Sequence, residues 1–180
     1  MVYNRFERST VSGLRLCRRY LTAAYLADTH KDVCSLGTTQ RRRFIQQAAA
    51  LGFHFATIIH PSARLSKRSS VGEDSVLGAG VIIASHTKVG NHVIINRSSL
   101  IGHDTAIGDY VTISPGGNIA GRVSIGEGTY VSIGAIVLDR MTIGSHSVIG
   151  AGAVVTKDVA ERVQVMGVPA RVTKENIDGR

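Results

Sequence analysis

From Leu65 to Val155 every sixth residue is aliphatic: Leu65, Val71, Leu77, Ile83, Val89, Ile95, Ile101, Ile107, Ile113, Ile119, Ile125, Val131, Val137, Ile143, Ile149 and Val155. If roughly a quarter of residues are Val, Ile or Leu, sixteen such hits in a row carry a chance probability of about 10⁻¹⁰, so this is an internal repeat. A period of six fits neither the 3.6 of a helix nor the plain alternation of a long strand. It fits a chain that runs a short strand, turns a corner and repeats, with one aliphatic plug per side pointing at a common axis. Gly or another small residue usually follows the plug, as at Gly72, Gly78, Gly108, Gly126 and Gly150, where a corner is expected to need unusual backbone angles. Three hexads make one coil, so residues eighteen apart stack at about 4.8 Å, and sixteen hexads give a rod of roughly 25 Å. The spacing predicts a parallel β-helix of hexapeptide repeats with no long loop leaving it.

Charge divides the chain. The net +8 suggests nucleic acid until it is apportioned: residues 1–56 carry nine Lys/Arg against three Asp/Glu, and residues 57–180 carry twelve against ten. The repeat is nearly neutral and poor in aromatic side chains for base stacking, which argues against nucleic acid as a partner. Cys17 and Cys34 have no metal or redox spacing, and no secretory segment precedes them, so reduced thiols in a cytoplasmic protein are expected. No apolar run approaches a membrane span.

Residues 1–60 read as a small α/β domain, 61–160 as the β-helix and 161–180 as a C-terminal cap. The first twenty residues hold five Arg and one acid, a composition shared by transit peptides and by basic helices. Leu14, Cys17, Leu21 and Ala24 fall at helical spacing over Leu14–Leu26. A second helix is predicted over Arg41–Leu51, with Thr38 or Thr39 as N-cap and Gly52 at C′. Phe53–His60 alternates like a strand and ends at Pro61.

Six stretches carry a resemblance: His60-Pro61-Ser62-Ala63, Ile101-Gly102-His103-Asp104, Ile113-Ser114-Pro115-Gly116, Gly121 to Gly126, Gly150 to Val155, and Gly167-Val168-Pro169-Ala170. In this order and spacing they resemble the sialic-acid O-acetyltransferase and bacillosamine-type sugar N-acetyltransferase family of hexapeptide-repeat acyltransferases, over about residues 33–172. The resemblance implies a left-handed β-helix, acetyl-CoA as donor, a sugar or nucleotide-linked sugar as acceptor, no metal, and a homotrimer with active sites between neighbouring rods.

It also implies residue roles. His103 matches the family's general base and Asp104 the acid that raises its basicity. Transfer from a thioester to an amine or hydroxyl requires a proton to be removed from the nucleophile, which neutral imidazole does near pH 7. His86, His92 and His146 lie three positions after their plugs, whereas His103 lies two after, so only His103 fits the motif. Gly121, eighteen residues beyond His103, matches a glycine that contacts acetyl-CoA through its backbone and is expected to leave room for the thioester. The same offset stacks Asp104 over His86 and raises a His86–Asp104 pair. Ile133 and Ala151 match positions lining the acetyl-CoA channel. Thr112 stands where many relatives carry a histidine on acetyl-CoA and offers only a hydroxyl. Gly37, in Ser35-Leu36-Gly37-Thr38, resembles a strand-end glycine near the sugar, and Lys157, Arg171 and Lys174 are candidates for the CoA phosphates.

The N-terminus departs from the family, whose members begin with a glycine-rich strand–loop–helix for the nucleotide. Residues 1–56 contain only Gly13, Gly37 and Gly52, so the small domain reads as truncated or replaced. Two other classes therefore stay open. One is a catalytically weak assembly or binding module, which has no physical need for the His103–Asp104 pair. The other is a γ-class carbonic anhydrase-like protein, for which His86, His92 and His103 lack a metal spacing.

Overall fold

The computed structural model describes residues 33–34 and 36–180; the helix expected over 14–26, Cys17 and the basic first twenty residues lie outside them. A 3-10 turn, Thr39–Arg41, leads into α1, Arg42–Ala50. Thr38 caps the turn, its hydroxyl accepting from Gln40 N, and Gly52 takes φ +85° just past the helix, where a residue with a Cβ would be strained. The alternation over 53–60 does not make a separate strand. Apart from a lone bridge residue at Phe55, only Ile58–Ile59 (β1) forms a strand, and it belongs to the rod, with Ile58 N and His60 N donating to Ser75 O and Leu77 O. The N-terminal piece thus contributes no sheet of its own among the described residues.

From β1 to β17 (Val154–Val155) the chain is a run of two-residue strands in three parallel sheets, forming a solenoid of about six turns. Strands three apart pair in register, as Leu100↔Asn118 and Ile101↔Ile119 show for β8 (Leu100–Ile101) and β11 (Asn118–Ile119). The plugs fill the axis: Leu77, Ile83, Ile95, Ile113, Ile119, Ile143 and Ile149 are all at most 1% exposed. Each such side chain stabilises the fold by roughly 1.5–3 kcal/mol through removal from water.

A second inward position lies two residues before each plug. Val81, Val93, Val111, Val123 and Ala153 occupy it, and so do buried hydroxyls, each satisfied by a carbonyl of the next coil. Thr87 Oγ1 donates to Gly102 O (2.7 Å), Thr129 Oγ1 to Gly144 O (2.9 Å) and Ser147 Oγ to Ala160 O (2.7 Å). A hydroxyl here closes a bond that an aliphatic residue does not need.

The glycines after the plugs are required by close approach rather than by backbone angle. They are not the residues with unusual angles. A Cβ on Gly78 would come within 2.7 Å of Arg97 N in the coil above, so glycine is required there by close approach. The left-handed residue is the third after the plug, held by Asp74, His86, His92, Ser98, Asp104, Tyr110, Arg122, Arg140 and His146 as well as by glycines.

The ladder also continues past Val155. Val159 bridges Ile143, and Ile149 pairs with Val165 in β18 (Gln164–Met166), both at an offset of sixteen. The last coil is two residues short, and the Asp158 carboxylate accepts from Thr142 N (2.8 Å) at that point. β19 (Arg171–Lys174) turns back antiparallel on β18 and covers its open edge. The final residues run along the rod to the 3-10 turn, where Thr39 N donates to Arg180 O (2.7 Å) and the Arg180 guanidinium sits over the Tyr130 ring. Among the described residues no helix is long and apolar enough to cross a membrane.

Candidate active site

Equivalent residues of successive coils form columns along three corners. Asp104 N donates to Ser85 O (2.9 Å), Arg122 N to His103 O (2.8 Å) and Arg140 N to Gly121 O (3.0 Å). One corner therefore carries Ser85, His103, Gly121 and Asp139 in a vertical line, with His86, Asp104, Arg122 and Arg140 alongside.

On this corner His103 Nδ1 lies 2.7 Å from Asp104 Oδ2. An ionised carboxylate only accepts, so Nδ1 carries a proton toward it, and in the neutral ring Nε2 is the nitrogen with the lone pair. The bond from His103 is the main cause holding the Asp104 carboxyl below its usual value; slight desolvation opposes it, and the charges of His103, His86 and Arg122 add to the attraction. Both side chains are about half exposed, 50% and 48%, so Nε2 is reachable from outside. The left-handed backbone of Asp104, φ +54°, is the local device that turns its carboxylate beside the neighbouring imidazole.

Gly121 is directly above. A Cβ there would stand 2.7 Å from His103 Nε2 and 2.9 Å from Cε1. The space this glycine leaves is thus occupied first by the imidazole itself. The Gly121 N–H has no acceptor among the described residues, whereas on another corner Glu73 N and Asn91 N are capped by the side chains of Asn91 and Asp109. A free backbone donor therefore stands beside a free imidazole lone pair.

The other expected positions divide. Gly134 N donates to Pro115 O and Gly152 N to Ile133 O, so Ile133 and Ala151 stack on a second corner, away from His103 within one chain. Between the two corners lies a face whose outward residues include Ile82, Leu100 and Ile136, 38–43% exposed, with Ile133 at its rim 56% exposed. Lys157 is exposed on the shortened last coil, while Arg171 and Lys174 are exposed on the β19 hairpin. Gly37 is exposed and meets nothing within 4 Å of a built Cβ.

Thr112 is 3% exposed and its hydroxyl accepts from Arg41 Nη1 at 2.7 Å, so within one chain it is covered and already bonded. Arg41 is the reason, and nothing in its sequence context marks it, because it opens the run Arg41-Arg42-Arg43. Its guanidinium is 1% exposed and also donates to Thr38 O, His92 O and Val111 O. Burial lowers it to about 10. His92, given no role by the sequence, stands on the third corner, stacked on Tyr110 at 4.9 Å beside a cleft against α1. Being there, it cannot converge with His86 and His103 within one chain. Among the described residues no group of three His, Cys, Asp or Glu is placed to hold a metal ion.

Parallel coils with six-residue sides place the chain in the class of hexapeptide-repeat β-helix proteins. A family model described as bacterial transferase hexapeptide (six repeats) matches residues 122–157. Three solved structures are similar over most of the chain. PerB of Caulobacter crescentus, in complex with CoA and GDP-perosamine, is 32% identical over 86% of this chain and 76% of its own, with a TM-score of 0.82. The acetyltransferase domain of PglB from Neisseria gonorrhoeae is 30% identical over 87% and 77%, TM-score 0.82. WeeI of Acinetobacter baumannii is 28% identical over 78% and 69%, TM-score 0.76. No curated protein sequence matches the chain. The chain belongs to the hexapeptide-repeat sugar acyltransferase family.

Proposed function

We propose that this protein transfers the acetyl group of acetyl-CoA to an amino or hydroxyl group of a sugar, with a nucleotide-linked sugar as the favoured acceptor. The observation that carries this is the His103–Asp104 pair at 2.7 Å with Nε2 free beneath Gly121. It is supported by a PerB complex that holds CoA and GDP-perosamine and by a PglB acetyltransferase domain that holds acetyl coenzyme A.

In this reading His103 Nε2 takes the proton of the attacking amine or hydroxyl, and Asp104 stabilises the imidazolium that forms. The Gly121 N–H is the candidate donor to the oxyanion on the thioester carbon. Collapse of that intermediate breaks the C–S bond, and His103 returns its proton to the departing thiolate. No described serine or cysteine hydrogen-bonds His103, which favours direct attack over an acyl-enzyme. The test is release of free CoA thiol against amino sugars and nucleotide-linked amino sugars. Turnover on one acceptor class supports the reading; no turnover and no acetyl-CoA binding sinks it and leaves an assembly module.

Gly121→Ala isolates the geometry. The added methyl displaces the imidazole, and misplacing a catalytic group by about 1 Å is expected to lower turnover on the order of 10²-fold while the fold stays intact. Equal turnover numbers for the variant and the parent would show that the ring needs no such space.

The active site is proposed to form between copies of a trimer. The face bearing Ile82, Leu100 and Ile136 is flanked by the His103 corner on one side and the Ile133–Ala151 corner on the other, so burying it against a neighbour would bring unlike corners together. Leu100→Arg puts a charge in that contact. Light scattering should then show a shift to monomer with loss of turnover and an unchanged circular dichroism spectrum. An assembly of unaltered mass would rule this face out as the contact.

A further inference from the structure

We propose that His86 is a positioning residue for the His103–Asp104 pair, competing from the coil below for the Asp104 carboxylate and, once protonated, weakening its hold on His103. The inference rests on the reading of His103 as the base. Asp104 presents its two oxygens to two imidazoles, with Oδ2 at 2.7 Å from His103 Nδ1 and Oδ1 at 3.8 Å from His86 Nδ1. Backbone geometry sets this arrangement. His86 and Asp104 occupy the same left-handed position of successive coils, φ +59° and +54°, and Asp104 N is tied to Ser85 O at 2.9 Å.

Two protonation states follow. With His86 neutral, 3.8 Å is too long for a hydrogen bond and the carboxylate serves His103 alone. With His86 charged, a cation next to the shared carboxylate draws Oδ1 toward it and opposes the second positive charge that His103 must carry as it accepts a proton. The other charged groups facing His86 are Arg68, whose carbonyl accepts from His86 N, and Lys67 on the same turn; Arg122 lies on the far side of Asp104.

The test is the pH dependence of kcat and kcat/KM for the full chain, His86→Asn and His86→Arg, with His103→Ala alongside. Asn tolerates the left-handed backbone without carrying charge, and Arg already fills this position at 122, 140 and 162. The parent should lose activity on the acid side in two steps, a partial loss as His86 takes its charge and a complete one as His103 does. His86→Asn should show a one-proton acid limb displaced to lower pH. His86→Arg should lower kcat at neutral pH by about threefold to tenfold, as a fixed charge at this separation would, with KM unchanged. Superimposable profiles for the parent and His86→Asn, or a change confined to KM, would overturn the role of His86 while leaving the base intact. Turnover by His103→Ala would instead remove the base reading itself.

Discussion

Replacing His103 by alanine is expected to reduce acetyl transfer by about 10²- to 10⁴-fold, the range that a positioned general base contributes, without reducing stability. The side chain is half exposed, and its one hydrogen bond is to Asp104, so removing it leaves no buried group unpaired. The loss should fall on kcat, because proton removal is felt as the nucleophile attacks and the Gly121 backbone, the proposed contact of acetyl-CoA, is untouched. His103→Asn separates the two functions of the ring: it keeps a polar group beside Asp104 but has no lone pair basic enough to take the proton, so it should be as inactive as alanine. Asp104→Asn should retain more activity than either, because Nε2 survives and only its tautomer and charge support are lost. Single-turnover measurements with saturating acetyl-CoA check this order, and a His103→Asn enzyme as fast as the parent would remove proton transfer by His103 from the mechanism.

Arg41→Ala should destabilise the fold by about 2–4 kcal/mol, among the larger effects of a single substitution. The guanidinium is 1% exposed and donates to Thr38 O, Thr112 Oγ1, His92 O and Val111 O at 2.6–3.1 Å. Its removal leaves polar atoms without a donor where the 3-10 turn meets the rod. Arg41→Lys should recover less than half of the loss, since an ammonium offers donors from one point and cannot fork across acceptors on separate elements. Urea unfolding of the three proteins measures this directly; equal midpoints would mean that water replaces the guanidinium at no cost. The same variants free the Thr112 hydroxyl, so any gain in acetyl-CoA affinity in Arg41→Ala would show that Thr112 was only masked.

His103 was legible because an aliphatic plug at a fixed period of six gives every residue an address: His103 stands two after Ile101, where His86, His92 and His146 stand three after theirs. Stacking at an offset of eighteen placed Gly121 over His103 and Asp104 over His86 before any coordinates. The helix at 42–50 and its Gly52 terminator were also legible, since capping is local chemistry. The reason given for the glycines was not, because a steric clash with the coil above is a contact between residues far apart in sequence. Arg41 was invisible for the same reason: three adjacent arginines look alike until one of them is folded against Thr112 and Val111. The periodic pattern by itself determined the rod, its register and the neighbours of His103, since a repeat writes its tertiary contacts into local spacing. Only the tertiary structure decided what the non-repeating ends pack against, which hydroxyl is already occupied and which oxygen of Asp104 each imidazole faces, because those depend on where side chains meet across elements that no period relates.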